Sequence, residues 1–309
     1  MQTSQSNMPQ SVVSQKIKAL LLHPAQSYRY RQLKSLFLTN YLRACPLPTL
    51  DKSKDVIVSL TSYGDRLLDV DLAIRSILKQ SELPGLIILW IGAESNNVSL
   101  PKRLLDLEKN GLIIRQGLPN IKGHKKYFFA CQEFPDATII TIDDDSMYPK
   151  DTIQSLMETH RRHTDSIVAR RINRIQFDSD NKIKKYSDWL FGYQDMNGEP
   201  SKSNVAIGVG GVLYPPCCLP DITFDERAIK RCALDADDLW LKAMEIKKGI
   251  GVVWAKCDET HPYYIPKSQK QSLFSSNMVF GSGNDEALLK VMNIYDIDPS
   301  DFLDSTVRE

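Results

Sequence analysis

The chain has 309 residues, room for one large domain or two closely joined smaller ones, and its 42% apolar and 25% charged residues are the balance of an ordinary globular protein. Lys and Arg total 39 against 38 Asp and Glu, so a net charge of +1 points to no nucleic acid or other polyanionic partner. No apolar run approaches the ~20 residues that span a bilayer. The N-terminus lacks a basic-then-apolar signal peptide. The six cysteines, with no C-x-x-C pair among them, read as reduced thiols, and the cytoplasm is the expected location.

Charge is unevenly spread. Residues 1–50 hold six basic side chains (Lys16, Lys18, Arg29, Arg31, Lys34, Arg43) and no acidic one, leaving 33 basic against 38 acidic in the remainder. Residues 1–14, rich in Gln, Ser and Asn, read as disordered. Apolar residues then recur at helical spacing over Val12–Leu22 and Arg31–Leu42. Pro46 and Pro48 punctuate the chain, so 1–50 forms a basic helical extension and the main domain starts at 51.

From there strands and helices alternate. Val56–Leu60 is a short β-branched run that reads as a buried strand, followed by a helix over Arg66–Gln80 with Leu67, Val70, Ile74, Ile77 and Leu78 on one face. Leu86–Ile91 is the second strand. Pro101 opens the next helix and Gly111 closes it. Leu112–Arg115 is the third strand, Lys125–Glu133 a helix, Thr138–Ile142 the fourth strand, and Pro149 with Asp151 starts a helix running to about Arg161. Strand starts at 56, 86, 112 and 138 suit βαβ units, which predicts an α/β fold with a mostly parallel central sheet flanked by helices. After Ile167 the pattern loosens, and Tyr, Trp, Gly and Pro accumulate between Tyr186 and Pro220. The domain thus divides into halves at 51–165 and 166–309.

In an open α/β sheet ligands bind beyond the carboxyl ends of the strands, and there the fourth strand presents Asp143, Asp144 and Asp145. Strand alternation puts Asp143 and Asp145 on one side and Asp144 on the other. Three adjacent carboxylates repel one another, and a hard cation such as Mg²⁺ or Mn²⁺ would relieve them while bridging to diphosphate oxygens. A solvated acidic turn is the bland alternative. After the first strand the chain reads Thr61-Ser62-Tyr63-Gly64-Asp65, without the G-x-G-x-x-G turn of dinucleotide-binding domains, and no Walker A loop appears.

Four segments together resemble GT-A-fold glycosyltransferases, especially the family 2-like enzymes of bacterial capsule and lipopolysaccharide synthesis. They are Ser59–Asp65, Ile139–Asp145 with Tyr148-Pro149, Gly210–Pro216, and Ala236–Leu241. The resemblance spans residues 55 to about 290. It implies a Rossmann-like GT-A domain whose 51–165 half binds a nucleotide-sugar donor, UDP-linked, and whose 166–309 half binds a saccharide or lipid-linked acceptor. By the same likeness Thr61 and Tyr63 hold the nucleoside, Asp143 and Asp144 line the donor site, and Asp145 with Asp143 binds Mn²⁺ or Mg²⁺. Lys125 or Lys126 would touch the diphosphate, with an exposed helix lysine as the alternative. Asp237-Asp238 resembles the Glu-Asp pair whose second acid is the general base of inverting members, which casts Asp238 as base beside Asp237. The first acid here is Asp rather than Glu, and a retaining exostosin-like family also carries an acidic pair in this region, so inversion is preferred and retention stays open.

Three further features bear on function. His261 is a third candidate metal ligand, against a structural or surface role. Gly210 and Gly211, with Gly208, would let an acceptor sugar approach the backbone, and Trp189, Phe191 or Tyr193 would stack on it, against glycines in a tight turn and aromatics in the core. The basic, apolar-periodic extension predicts peripheral contact with the cytoplasmic membrane face, against packing on the domain or a dimer contact. Two other function classes remain at this point: a haloacid-dehalogenase-like Mg²⁺ phosphatase with Asp143 as nucleophile, and a non-catalytic sugar-binding module.

Overall fold

A computed structural model describes residues 24–257, 259, 261–266 and 283–304. The helix expected over Val12–Leu22, with Lys16 and Lys18, lies outside these residues, as do Asp258 and Thr260.

The second apolar-periodic stretch is helix α1 (Pro24–Ala44). Strand β1 (Val56–Ser62) follows. The helix expected over 66–80 divides into a 3-10 turn at Gly64–Leu68 and α2 (Asp71–Ile77), a break that sends Arg66 toward Asp144 while Leu67 and Val70 stay buried. Next come β2 (Leu86–Gly92), α3 (Lys102–Leu105) and β3 (Leu112–Leu118). The Pro101–Gly111 helix keeps its ends but tightens to a 3-10 turn over Asp106–Asn110. Helix α4 (Lys125–Glu133) and β4 (Thr138–Thr141) complete the regular half.

Beyond it lie β5 (Ser146–Met147), α5 (Thr152–His160), β6 (Ile167–Ala169), β7 (Ile172–Arg174) and β8 (Leu190–Tyr193). Strands β9 (Asn204–Ala206) and β10 (Val212–Tyr214) precede α6 (Glu226–Cys232) and α7 (Asp237–Lys248). The chain ends in β11 (Val252–Trp254), β12 (Tyr263–Tyr264) and α8 (Gly283–Ile294).

Seven strands form the central sheet, in the order β11-β6-β10-β4-β1-β2-β3. All run parallel except β10, which is antiparallel to both β4 and β6. The sheet crosses from one half of the chain into the other without a break. Its two faces carry separate cores, because successive residues of a strand point to opposite sides. Ile57, Ile88, Trp90 and Ile139 face α4 and α7, whereas Val58, Leu60, Leu89 and Ile140 face α2 and α5. A small antiparallel sheet, β8-β7-β9, stands off one edge, and β5 pairs with β12.

Helix α1 packs on the main domain. Leu42 is buried, Ser35 Oγ donates to Tyr264 O (2.5 Å), and Arg31 donates to Pro262 O (2.8 Å). Lys34 pairs with Glu259 and Arg43 with Asp69. Three of the basic side chains expected to face lipid therefore grip the protein instead, because Glu259, Asp69 and backbone carbonyls offer them nearer partners. The other face of α1 leaves Tyr30, Leu33, Leu36, Phe37 and Tyr41 exposed, Phe37 at 68%.

Gly111 ends its turn at φ 107°, and a Cβ there would come within 2.9 Å of Leu50 Cβ, the residue that leads from the extension into β1. A side chain is strained at that φ and short of space besides. Gly111→Ala should destabilise the fold by about 1–3 kcal/mol, read as a lower urea midpoint with an unchanged slope. A midpoint equal to the parent's would show that the turn relaxes freely.

Candidate active site

Strand order reverses between β1 and β4, so their carboxyl ends open a crevice at the point where such sheets bind ligands. Thr61 and Tyr63 leave β1 there, and Asp143–Asp145 leave β4. A cleft of about 620 Å³ spreads from this point and takes in the acids at the start of α7, a volume in the range of small-molecule sites.

The triplet does not alternate as expected, because β4 ends at Thr141 and its pleat does not continue into the acids. Asp144 accepts from Ser62 Oγ (2.6 Å) and Arg66 (2.7 Å), and Asp145 lies 3.4 Å from the same guanidinium. Asp143 turns elsewhere, to Lys126 Nζ at 2.9 Å. Burial raises the Asp144 carboxyl against the pull of Arg66. Burial, then repulsion from Asp143 and Asp144, pushes Asp145 up to about 6.

Both lysines called from sequence line the cleft, and neither is an exposed helix residue. Lys125 is buried and pairs with Glu94 at 2.7 Å. Lys126 joins Asp143 and Asp237 at 2.9 Å each, so one ammonium links the acids beyond β4 to those opening α7. Burial works to discharge it, but Asp143, Asp237 and Asp238 hold its pKa well above the ordinary value. Its place is set from behind. Trp90 Nε1 donates to Ser59 Oγ (2.7 Å), and Ser59 Oγ donates to the Lys126 carbonyl.

Asp237 and Asp238 are adjacent yet opposite in character. Burial would raise Asp237, but Lys126 and then His124 outweigh it and hold the carboxyl low. Among the described residues the Gly208 N–H, at 3.0 Å, is the hydrogen-bond donor to Asp238. Burial, then the charge of Asp237, pushes it up to about 8. One acid is thus committed to an ion pair and the other is held near the pH at which a base works best.

The remaining wall comes from the β6–β7 elbow, β8 and β12. Arg171, Tyr186, Phe191, His261 and Tyr264 line it. His261 Nδ1 faces Arg171 at 2.9 Å, and Arg31 donates to the His261 carbonyl. Burial and these two arginines pull the ring down to about 4, leaving a neutral imidazole engaged through Nδ1 with a guanidinium. Among the described residues no three His, Cys, Asp or Glu side chains are grouped to hold a metal on their own.

On the acceptor side the residues facing the cleft lie a residue or two from those expected. Gly208 faces the cleft, where a Cβ would lie 2.8 Å from Lys126 Nζ and 3.2 Å from Asp238 Oδ1. Gly210 backs onto Arg171 and Gly211 onto α5, both outside the cleft lining. Trp189 is buried, donates to Lys184 O and packs on Tyr186, so of the aromatics from 186 to 193 Tyr186 and the half-exposed Phe191 line the cleft. Thr61 donates to Trp90 O, and Tyr63 lies under Arg66.

Arg66 and Arg171 went unassigned in the sequence. The one signal for Arg171 is a basic pair, Arg170-Arg171, ending the apolar run Ile167–Ala169. Arg66 gave none, since a charged residue opening a helix is ordinary.

No protein-family model and no curated protein matches the chain. Solved structures do match in outline. A mannosyltransferase from Pyrobaculum calidifontis, PcManGT, in complex with GDP-Man and Mn²⁺, aligns at a TM-score of 0.43 and 12% identity, covering 89% of this chain and 84% of that one. TarS from S. aureus, residues 1–349, aligns at a TM-score of 0.41 and 14% identity, over 77% of this chain and 70% of that one. Likeness at this level bears on neither substrate nor mechanism, which rest on the cleft itself.

The raised Asp238 pKa carries a stability cost with a definite sign. A carboxyl that ionises near 4 when unfolded and near 8 when folded gives up stability as pH rises through that window. Asp238→Asn, which cannot ionise, should match the parent in thermal midpoint at pH 4. It should gain on the parent steadily to pH 8 and level off above. A midpoint difference that does not change with pH would contradict the buried, raised carboxyl.

Proposed function

We propose that this chain is a metal-assisted glycosyltransferase of the GT-A type, moving a sugar from a nucleotide donor to a hydroxyl of a saccharide or lipid-linked acceptor in surface-glycan synthesis. The observation that carries the reading is the meeting of two acidic sets, Asp143–Asp145 and Asp237-Asp238, across one cleft at the switch point of the sheet.

A divalent cation fits the donor side. Asp143 is part-exposed and Asp145 is held near 6 by burial and then by the charges of Asp143 and Asp144, so hard oxygen donors stand close together where a cation would be favourable. Mg²⁺ commonly takes one or two carboxylates and completes its shell with phosphates and water, which suits a site without a third protein ligand. Asp143 and Asp145 would hold it, and when bound it offsets the charge of a departing diphosphate. Thr61 and Tyr63 flank the nucleoside end, and Arg66 adds fixed positive charge behind Asp144 and Asp145.

Asp238 takes the proton of the acceptor hydroxyl. Its Oδ1 is occupied by the Gly208 N–H, so Oδ2 is the atom that receives it. Asp237, paired with Lys126, holds the ammonium in place and stays ionised. A base on the acceptor side of the sugar carbon favours inversion.

Asp145→Ala should abolish Mn²⁺-dependent binding of UDP and GDP in calorimetry with the fold intact. Asp238→Asn should bind nucleotide as the parent does and lose transfer on the order of 10²–10⁴-fold. A dead Asp237→Asn beside an active Asp238→Asn would reverse the assignment of the pair. Release of phosphate from simple phosphate esters, with sugar nucleotides untouched, would replace the reading with a phosphatase.

The exposed face of α1 supports a place at a lipid surface. No helix among the described residues is long and apolar enough to cross a membrane. Tyr30, Leu33, Leu36, Phe37 and Tyr41 instead form an outward stripe at helical spacing, suited to lying in the interface. Because Arg31, Lys34 and Arg43 are engaged with the protein, apolar burial carries the contact more than charge does. At about 1.5–3 kcal/mol per buried large side chain, the double substitution Leu33→Ser/Phe37→Ser should cut flotation with phosphatidylglycerol-containing vesicles tenfold or more. Equal flotation of variant and parent would remove the membrane role.

A further inference from the structure

Five Lys and Arg side chains line the cleft, and four of them have a carboxylate partner. Arg66 pairs with Asp144, Lys122 with Asp235, Lys125 with Glu94, and Lys126 with Asp143 and Asp237. Arg171 is the exception among the described residues. Its Nη1 meets the His261 ring at 2.9 Å, its other side-chain partner is Tyr264, and its buried Nε has none.

Those partners fix the guanidinium without cancelling it. His261 is neutral, since burial and two arginines keep its ring from taking a proton, and a neutral imidazole accepts from Arg171 through Nδ1. The backbone carbonyl of Arg171 accepts from Ile207 N, and its Cβ packs where a side chain at Gly210 would be. Asp238 acts on the guanidinium through space, but among the described residues no carboxylate pairs with it directly, and a cation largely removed from water without such a partner costs stability. A ligand that brings a directly paired anion would offset that cost. Arginine's planar fork is shaped for a carboxylate or a phosphate, two parallel N–H donors to two oxygens.

Its surroundings say which substrate brings the anion. Arg171 stands at the β6–β7 elbow with Tyr186, Phe191 and Tyr264, whereas the Arg66–Asp144 pair that suits the donor lies at the end of β4. Tyr264 and Phe191 are 39% and 42% exposed, leaving apolar faces beside the guanidinium for a sugar ring or a chain. Resting on the glycosyltransferase reading, we infer that the acceptor carries a phosphate group and that Arg171, positioned by His261 and Tyr264, binds it in the acceptor half of the cleft.

The test uses the full chain saturated with UDP or GDP and Mn²⁺. Glycerol 3-phosphate, citronellyl phosphate and neutral citronellol are titrated calorimetrically into the parent, Arg171→Gln and Arg171→Lys. Both phosphates should bind the parent, weaken at least tenfold in Arg171→Gln and recover in part in Arg171→Lys, while citronellol and nucleotide affinities stay unchanged. Citronellyl phosphate binding tenfold or more tighter than glycerol 3-phosphate assigns the phosphate to a lipid-linked acceptor, and equal affinities assign it to a soluble one. Phosphate binding that survives Arg171→Gln overturns the inference. So does nucleotide affinity falling with it, which would place Arg171 at the donor. The readout is binding, so a chain that transfers no sugar yet binds phosphate through Arg171 would refute the enzyme and keep the anion site. Should no nucleotide bind, the same titrations without it still read that site.

Discussion

The Lys126 ammonium, held between Asp143 and Asp237 and close to Asp238, is the interaction on which the cleft depends. Taking an ion out of water costs several kcal/mol, and a buried pair is stable only when every partner is present. Without Lys126, carboxylates from β4 and α7 would face one another in a low-dielectric crevice and force the two elements apart or out of their charged forms. With it, two acidic sets distant in sequence meet within a few ångströms. The Trp90–Ser59 hydrogen bonds behind α4 fix the lysine's backbone, so the central strands aim the charge that joins the two halves.

From that arrangement the electrostatics of the cleft divide. At Asp237 the charges of Lys126 and His124 outweigh burial, while among the described residues Asp238 receives one backbone N–H and the repulsion of its neighbour. Two chemically identical side chains thereby acquire different protonation behaviour from environment alone. Arg66 does for Asp144 and Asp145 part of what Lys126 does for Asp143 and Asp237, which leaves the triplet less than fully compensated.

The parallel half of the fold was legible in the sequence because strands such as Val56–Ser62 and Leu86–Gly92 are long enough to show as apolar runs between punctuated helices. The second half was not, since β6, β9, β10 and β11 are three residues each and buried on both faces, too short for any period. The acids stood out as runs. Lone arginines did not, because a residue such as Arg66 acquires its partner only where a turn after β1 crosses the end of β4. Three glycines within Gly208–Gly211 could not be ranked without knowing that Arg171 backs onto one and Lys126 onto another. Trp189 and Phe191 share parity, but Trp189 caps a 3-10 turn before β8 begins, so alternation did not separate the buried ring from the presented one.

Tyr264 belongs to two surfaces at once. Its carbonyl accepts from Ser35 of α1, while its side chain lines the cleft beside Arg171. Residues 261–265 are further tied to the acidic triplet through Ile265 N and Asp145 O, 2.7 Å apart. A ligand in the cleft and a force on α1 would therefore act on the same short segment. Thermodynamic linkage makes any such coupling reciprocal: a surface that tightens ligand binding by some factor is itself bound tighter by that factor when the ligand is present. Under the proposed membrane contact, the extension would report on what the cleft holds as well as tether the chain.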